Sequence, residues 1–270
     1  MSSVRLRFPA ALWSQRDLLW QLSKRSIEGR YRGSMLGWTW SFATPLLMLA
    51  VYTFVFSEVF QARWGDLNEL GPLGFAINLF AGLIVFNIFA EVANQSADLI
   101  LNNKNLVTKV VFPLPILSAS VLISALFHAC TSLVVLMVFE LASGNGVPVS
   151  IVLLPLTWLP AIGGFLALSW VLSALGVYLR DLGQVISVAT NLLMFLSAVF
   201  YPLSALPERW QPLLQLNPLV VVIEQTRRVA VDGQLPSFGY VIAGSLIAVI
   251  GCELAFRCFQ RASRGFADVL

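Results

Sequence analysis

The chain has 270 residues, 58% of them hydrophobic and 11% charged, with a net charge of +3 and a mean hydropathy of +0.81. A water-soluble domain carries about 25% charged residues, so a freely soluble globule is excluded and lipid is left as the main solvent. The small net charge is no nucleic-acid signature; what carries information is where the cations sit.

Seven cations open the chain: Arg5, Arg7, Arg16, Lys24, Arg25, Arg30 and Arg32. No short apolar core of a signal peptide lies among them, so the first span is expected to act as signal and structure together. Residues 10–32 read as a moderately amphipathic helix. Leu12, Leu18, Leu19, Trp20, Leu22 and Ile27 share one arc, into which Arg16, Ser23 and Arg30 intrude. Such a helix lies along the inner leaflet with Trp13 and Trp20 at headgroup depth; the alternative is a helix packed on cytoplasmic protein.

Six apolar segments follow, each near the roughly 20 residues that cross a bilayer as helix: 35–60, 74–96, 114–141, 151–177, 184–202 and 238–259. An even count puts both termini on one side. With the termini inside, 13 of the 17 Lys and Arg residues are cytoplasmic, including Lys104, Lys109, Arg180, Arg257, Arg261 and Arg264. Only Arg63, Arg209, Arg227 and Arg228 fall outside, the sign expected of a cytoplasmic excess of cations. Residues 203–237 carry two apolar patches too short to cross. Asn217-Pro218 is a helix start, Asn as N-cap and Pro at the first helical position. On the helix that follows, Glu224 and Arg228 stand at i,i+4 and can pair. This region reads as a re-entrant helix pair, with two surface helices as the alternative. The fold class is thus an all-α membrane protein in one domain, 1–270. Residues 1–33 form the cytoplasmic interfacial part, 34–202 spans one to five, 203–237 an external gate, 238–259 span six and 260–270 a cytoplasmic tail.

The chemistry is one of absences. No G-x-x-x-x-G-K-[ST] phosphate loop occurs, so ATP is not bound by that motif; no H-E-x-x-H or paired-cysteine zinc set occurs; no G-x-S-x-G elbow occurs. Cys130, Cys252 and Cys258 have no metal or disulfide spacing and read as packing residues. The one histidine, His128, falls inside the third span. Polar stripes do run along the spans: Asn87, Glu91, Asn94 and Asp98; Ser124, His128, Thr131 and Ser132; Gln184, Ser187 and Asn191. Polar faces in lipid must point at protein or water, as interhelical bonds or as the wall of an aqueous path; Glu91 is close enough to the inner end to snorkel. Trp38, Trp40, Trp64, Trp158, Trp170, Tyr201 and Trp210 sit near span ends or in loops, as an interface belt or as platforms for sugar rings.

Four landmarks, in order, carry a resemblance. The run from Arg30 to Trp40, Arg-Tyr-Arg-Gly-Ser-Met-Leu-Gly-Trp-Thr-Trp, resembles the R-Y-R/K-x-S-x-L-G-x-x-W entry to the first span of type-2 ABC exporter permeases for polysaccharides. Asn105-Leu106-Val107 with Lys109 and Phe112-Pro113 resembles the N-L-V-x-K-V-x-F-P cytoplasmic loop of that family. Tyr178, Arg180, Asp181 and Leu182 resemble its Y-x-R-D-L turn. Tyr201-Pro202, Asn217-Pro218 and Gly233 resemble its gate region. The O-antigen (Wzm-type) branch is the most similar, with teichoic-acid and capsule permeases as near relatives.

The resemblance implies a multi-pass permease of the inner (cytoplasmic) membrane, working as two copies of itself with a separate cytoplasmic ABC ATPase dimer. The cargo would be a glycan on an undecaprenyl-pyrophosphate lipid. It implies no cofactor, no metal, no nucleic acid and no catalytic residue in this chain. Lys24, Arg25, Arg30 and Arg32 become candidate contacts to the lipid phosphates. Asn103, Lys104, Asn105, Leu106 and Lys109 become the loop seated in the ATPase. Asn87, Glu91, Asn94, His128 and Asn191 would form the channel's polar face, and Tyr201, Trp210, Asn217, Pro218, Glu224 and Arg228 the external gate. Rival readings are a secondary transporter, an intramembrane enzyme using His128, and a permease of the same family for another cargo.

Overall fold

The computed structural model describes residues 8–55, 71–144 and 146–270. Arg5, Arg7, Arg63, Trp64 and residues 56–60 of the first expected span lie outside the described residues. Among those described there is no strand, and the helices are α1 (Phe8–Ser14), α2 (Arg16–Tyr31), α3 (Trp40–Thr53), α4 (Gly71–Ala97), α5 (Leu99–Asn102), α6 (Lys104–Thr108), α7 (Pro115–Ala142), α8 (Leu154–Tyr178), α9 (Leu182–Leu196), α10 (Gln211–Gln215), α11 (Pro218–Ala230), α12 (Phe238–Ala262) and α13 (Phe266–Val269). Among the described residues four helical stretches are long and apolar enough to cross a membrane: Leu73–Ala97, Pro115–Ala142, Val149–Tyr178 and Phe238–Val269.

The other two expected spans are represented by α3 and α9. Gly33 and Gly37 hold φ of +87° and +48°, which a continuing right-handed helix does not allow, so α3 starts at Trp40 and not at 35. At the other site Ala198 takes φ +53°, a left-handed conformation that costs a non-glycine residue about 1 kcal/mol or more. α9 ends two residues earlier, at Leu196, short of 202.

α4 is the axis of the bundle. In its most apolar window 83% of residues are buried, against 17% in that of α12, so α4 faces protein and α12 faces the surrounding medium. α12 lies along α8, and α4 is enclosed by α7, α8, α9 and α11. These crossings use small residues to bring backbones together. A Cβ on Gly176 of α8 would run into the Ala97 carbonyl of α4, and one on Gly163 would stand 2.8 Å from the Ala248 methyl. Polar side chains bridge α8 to its neighbours: Ser96 of α4 to Ser169 at 2.6 Å, Ser118 of α7 to Ser173 at 3.2 Å, and Cys252 Sγ of α12 to the Gly163 carbonyl at 3.0 Å.

One expectation about surface placement is corrected, and one expected helix is divided. Trp158 and Trp170 are not belt residues: they are 6% and 0% exposed, because their indole N–H groups donate inward to Thr226 Oγ1 and the Pro115 carbonyl, each at 3.0 Å. The N-terminal helix is broken at Gln15 into α1 and α2. α2 packs along α7 through Ser23 and Ile27, leaving Trp20 on the open side, 67% exposed, with Trp13 at 72%.

Candidate functional site

Where the end of α2 meets the bundle, α3, α4 and α7 enclose a groove of about 550 Å³. Its wall carries Arg30, Asn87, Glu91, Asn94, His128 and Ser132, with Met194 of α9 at one edge. Four of the five expected channel residues are thereby brought together: Asn87, Glu91, Asn94 and His128. Asn191 is not among the lining residues and stands exposed on α9, because the face of α9 that meets α4 is the one carrying Thr190, which lies 3.3 Å from Asn94 Nδ2.

At one end of the groove three side chains far apart in sequence converge. Arg30 Nη1 donates to Glu91 Oε2 at 3.0 Å, and His128 Nδ1 lies 3.0 and 3.1 Å from the two Glu91 oxygens. Nδ1 is also 3.0 Å from Arg30 Nη1, and a ring nitrogen cannot accept from the arginine while donating to the carboxylate. The charged carboxylate is the stronger partner, so Nδ1–H donates to Glu91. In neutral imidazole this leaves Nε2, which is buried without a hydrogen-bond partner, as an acceptor. Glu91 does not snorkel away; it holds the last turn of α2 against α7. Tyr31 stacks edge-on to His128 with ring centroids 6.0 Å apart, and burial raises its phenol above the ordinary value against the opposing pull of Arg30, so it stays a neutral donor. Arg30 is half-exposed, at 53%, against 13% for Glu91 and 16% for His128.

The other candidate cations lie on the outer side of this junction. Arg25 and Arg32 line a second hollow of about 680 Å³ with Glu28, Tyr31 and Trp38, while Lys24 pairs with Glu28 across one helical turn at 3.7 Å. Beyond α4, α5 and α6 form a kinked step around Asn103, which turns its amide back to the Leu99 carbonyl at 2.8 Å. Leu106 and Val107 pack on the core. Lys104, Asn105 and Lys109 point outward, followed by Val110 and Val111 at 58% and 103% exposure.

At the opposite end of the bundle the expected gate residues take separate places. Asn217 caps α11, accepting from Leu219 N at 3.0 Å, with Pro218 at the first helical position. Tyr201 donates to the Phe195 carbonyl at 2.9 Å. Trp210 is exposed, with the Arg209 guanidinium 5.4 Å above its ring. α11 is not a surface helix: Leu219, Val222, Ile223 and Val229 are buried among α4 and α8. The pairing expected between Glu224 and Arg228 is not the one formed. Glu224 takes Arg227 Nη1 at 2.8 Å, because Arg227 faces inward, while Arg228 donates outward to the Leu235 carbonyl at 2.9 Å. Arg227 is the residue that the sequence reading missed; its only signal was the i,i+3 spacing from Glu224.

The arrangement contains no constellation for bond chemistry. Among the described residues no three His, Cys, Asp or Glu side chains group as a metal site, and His128 is committed to Glu91. What the geometry offers is a polar groove, an entry helix clipped to it, and an exposed step at one end. The sequence model of the ABC-2 type transporter family matches residues 17–230, a stretch that runs from α2 to the end of α11. The chain belongs to the ABC-2 type transporter membrane family. An O-antigen export system permease protein, RfbA, of Myxococcus xanthus is 29% identical over 265 residues, covering 97% of this chain and 99% of that protein. An RfbA permease of Klebsiella pneumoniae is 27% identical over 260 residues, 94% and 95% of the two chains. A polysialic acid transport protein, KpsM, of Escherichia coli is 24% identical over 235 residues, 85% and 89% of the two chains. Membership in this family makes the chain a membrane permease.

Proposed function

We propose that this permease is the membrane subunit of an ATP-driven exporter that moves lipid-linked polysaccharide of the O-antigen type across the inner membrane. The observation that carries the reading is the end-to-end similarity to permeases named for O-antigen export. The groove supports it, since a wall with an ionic cluster and amide side chains suits a hydrated polymer.

In this reading two copies face each other and two cytoplasmic ATPases drive them. The bare apolar face of α9, with Val188, Leu192 and Phe195 exposed, is where the second copy sits, closing the open side of the groove into a channel. α3 and α9 act as the first and fifth spans of a six-span topology with both termini inside. The α5–α6 step seats in the ATPase, Lys104 and Lys109 meeting acidic groups and Val110 and Val111 covered by it. The undecaprenyl-pyrophosphate end of the cargo enters beside α2. Lys24, Arg25 and Arg32 meet the phosphates first; Arg30 joins them only by exchanging Glu91 for phosphate. Residues 203–237 form the external gate, with α11 re-entrant. The ATPases bias the closed and open populations by engaging the step differently in each nucleotide state.

The test is removal. Cells without this chain should hold lipid-linked polysaccharide at the inner leaflet and lose it from the surface, and restoring the chain beside an ATPase that cannot hydrolyse ATP should not reverse this. Normal surface polysaccharide in either strain overturns the proposal. A second reading, capsule-type cargo, is favoured by the KpsM similarity over most of the chain; loss of capsule with intact O-antigen in the same deletion would select it.

A further inference from the structure

α9 has 15 residues, about 22 Å of helix, against a hydrocarbon core of about 30 Å. A span that stops short leaves its last carbonyls where water is scarce, and every one must find a donor within the protein. Here the donors come from the segment that follows. Tyr201 donates to the Phe195 carbonyl at 2.9 Å. Asn217 Nδ2 lies 3.3 Å from the Leu196 carbonyl and 3.1 Å from Ser197 Oγ. Arg227 donates Nη1 to the Ala198 carbonyl at 2.9 Å and Nη2 to the Val199 carbonyl at 2.7 Å. Ala198 and Val199 are wholly buried.

Asn217 and Arg227 both belong to α11, one at its cap and one in its last turn. The truncated helix is therefore finished off by Tyr201 just beyond it and by the gate helix. The same guanidinium donates Nε to the Asn78 carbonyl of α4 at 3.0 Å and holds Glu224 at 2.8 Å. It lies so close to α4 that a Cβ on Gly82 would stand 2.7 Å from Nη2. One side chain thus touches three elements: the end of α9, the outer half of α4, and its own helix. Only a planar fork with donors in several directions does this; an ammonium cannot reach the same carbonyls at once.

We infer that Arg227 is the positioning residue of the external gate, joining the end of α9 to α11 and seating both on α4, so that the three keep one mutual arrangement. The inference rests on the export reading above and names the side chain through which that gate is worked.

The experiment uses the assembled permease–ATPase complex in proteoliposomes, with undecaprenyl-pyrophosphate-linked O-antigen as probe, and measures ATP hydrolysed per glycan exported. Arg227→Gln removes the fork, Arg227→Lys keeps the charge, and Gly82→Ala leaves Arg227 in place but crowds it from α4. Among complexes that purify intact, the ratio should rise at least tenfold for Arg227→Gln and for Gly82→Ala, and less for Arg227→Lys. If Arg227→Gln does not assemble, Gly82→Ala decides. Lower yield with an unchanged ratio in the survivors would mean that Arg227 only holds the fold together, and would overturn the inference. Wild-type complex that exports nothing in these vesicles would instead overturn the export reading.

Discussion

α4 carries an arginine contact at each end, and the two differ in kind. Near its C-terminal end, the inner one in the proposed topology, Glu91 holds Arg30, whose side chain is 53% exposed; near its N-terminal end, the outer one, Asn78 accepts from Arg227, whose side chain is 3% exposed. The first contact joins opposite charges beside an open groove, so water or another anion can take the place of Glu91 at the half-exposed Arg30. The second is made mostly to backbone carbonyls in a dry interior, where no substitute donor is at hand. The inner contact is built to be exchanged and the outer one to be kept.

The strongest way to break that contrast is Arg227→Met. It strands the Ala198, Val199 and Asn78 carbonyls and should cost about 3 kcal/mol or more of stability, read as a drop in apparent Tm of the detergent-purified permease; a Tm equal to wild type would show that the outer contact is as replaceable as the inner. Next comes Gly176→Val, at the α4–α8 crossing away from both arginines. Forcing the Ala97 carbonyl aside should cost about 1–3 kcal/mol, and retention of full stability would mean that the crossing gives easily. Weaker still is the inner pair itself: a double-mutant cycle of Arg30→Gln and Glu91→Gln should give a coupling of about 1 kcal/mol or less. A coupling of several kcal/mol would place Arg30 with Arg227. Lys109→Glu should leave stability untouched and weaken co-purification with the ATPase; undiminished association would remove the α5–α6 step from the coupling role.

The sequence made the long helices legible because α4, α7, α8 and α12 are apolar over many turns and bounded by polar or proline-containing turns. Where helices stop was less legible. Nothing in Leu196-Ser197-Ala198-Val199 announces a halt: the apolar run continues, and Ala198 turns left-handed without the glycine that usually marks such a place. The halt is imposed by Asn217 and Arg227, which lie 21 and 29 residues from the carbonyls they hold. The groove shows the same division. Asn87, Glu91 and Asn94 share a helical face and could be grouped from spacing alone. The meeting of Arg30 with Glu91 and His128 spans 61 and 98 residues and leaves no trace in any local pattern. Arg227 and Arg228 are neighbours of the same type, yet one points into the core and the other away, since adjacent positions on a helix face in different directions.

The enclosure of α4 has a mechanical consequence. A helix gripped on nearly every side by α7, α8, α9 and α11, and locked at Gly176 with no room for even a methyl group, serves as a stator. Whatever turns in a working cycle must be held less closely to that post, as α2 with α3 are on one side of the groove, so the conduit would widen by that wall swinging away while α4 and α11 stay.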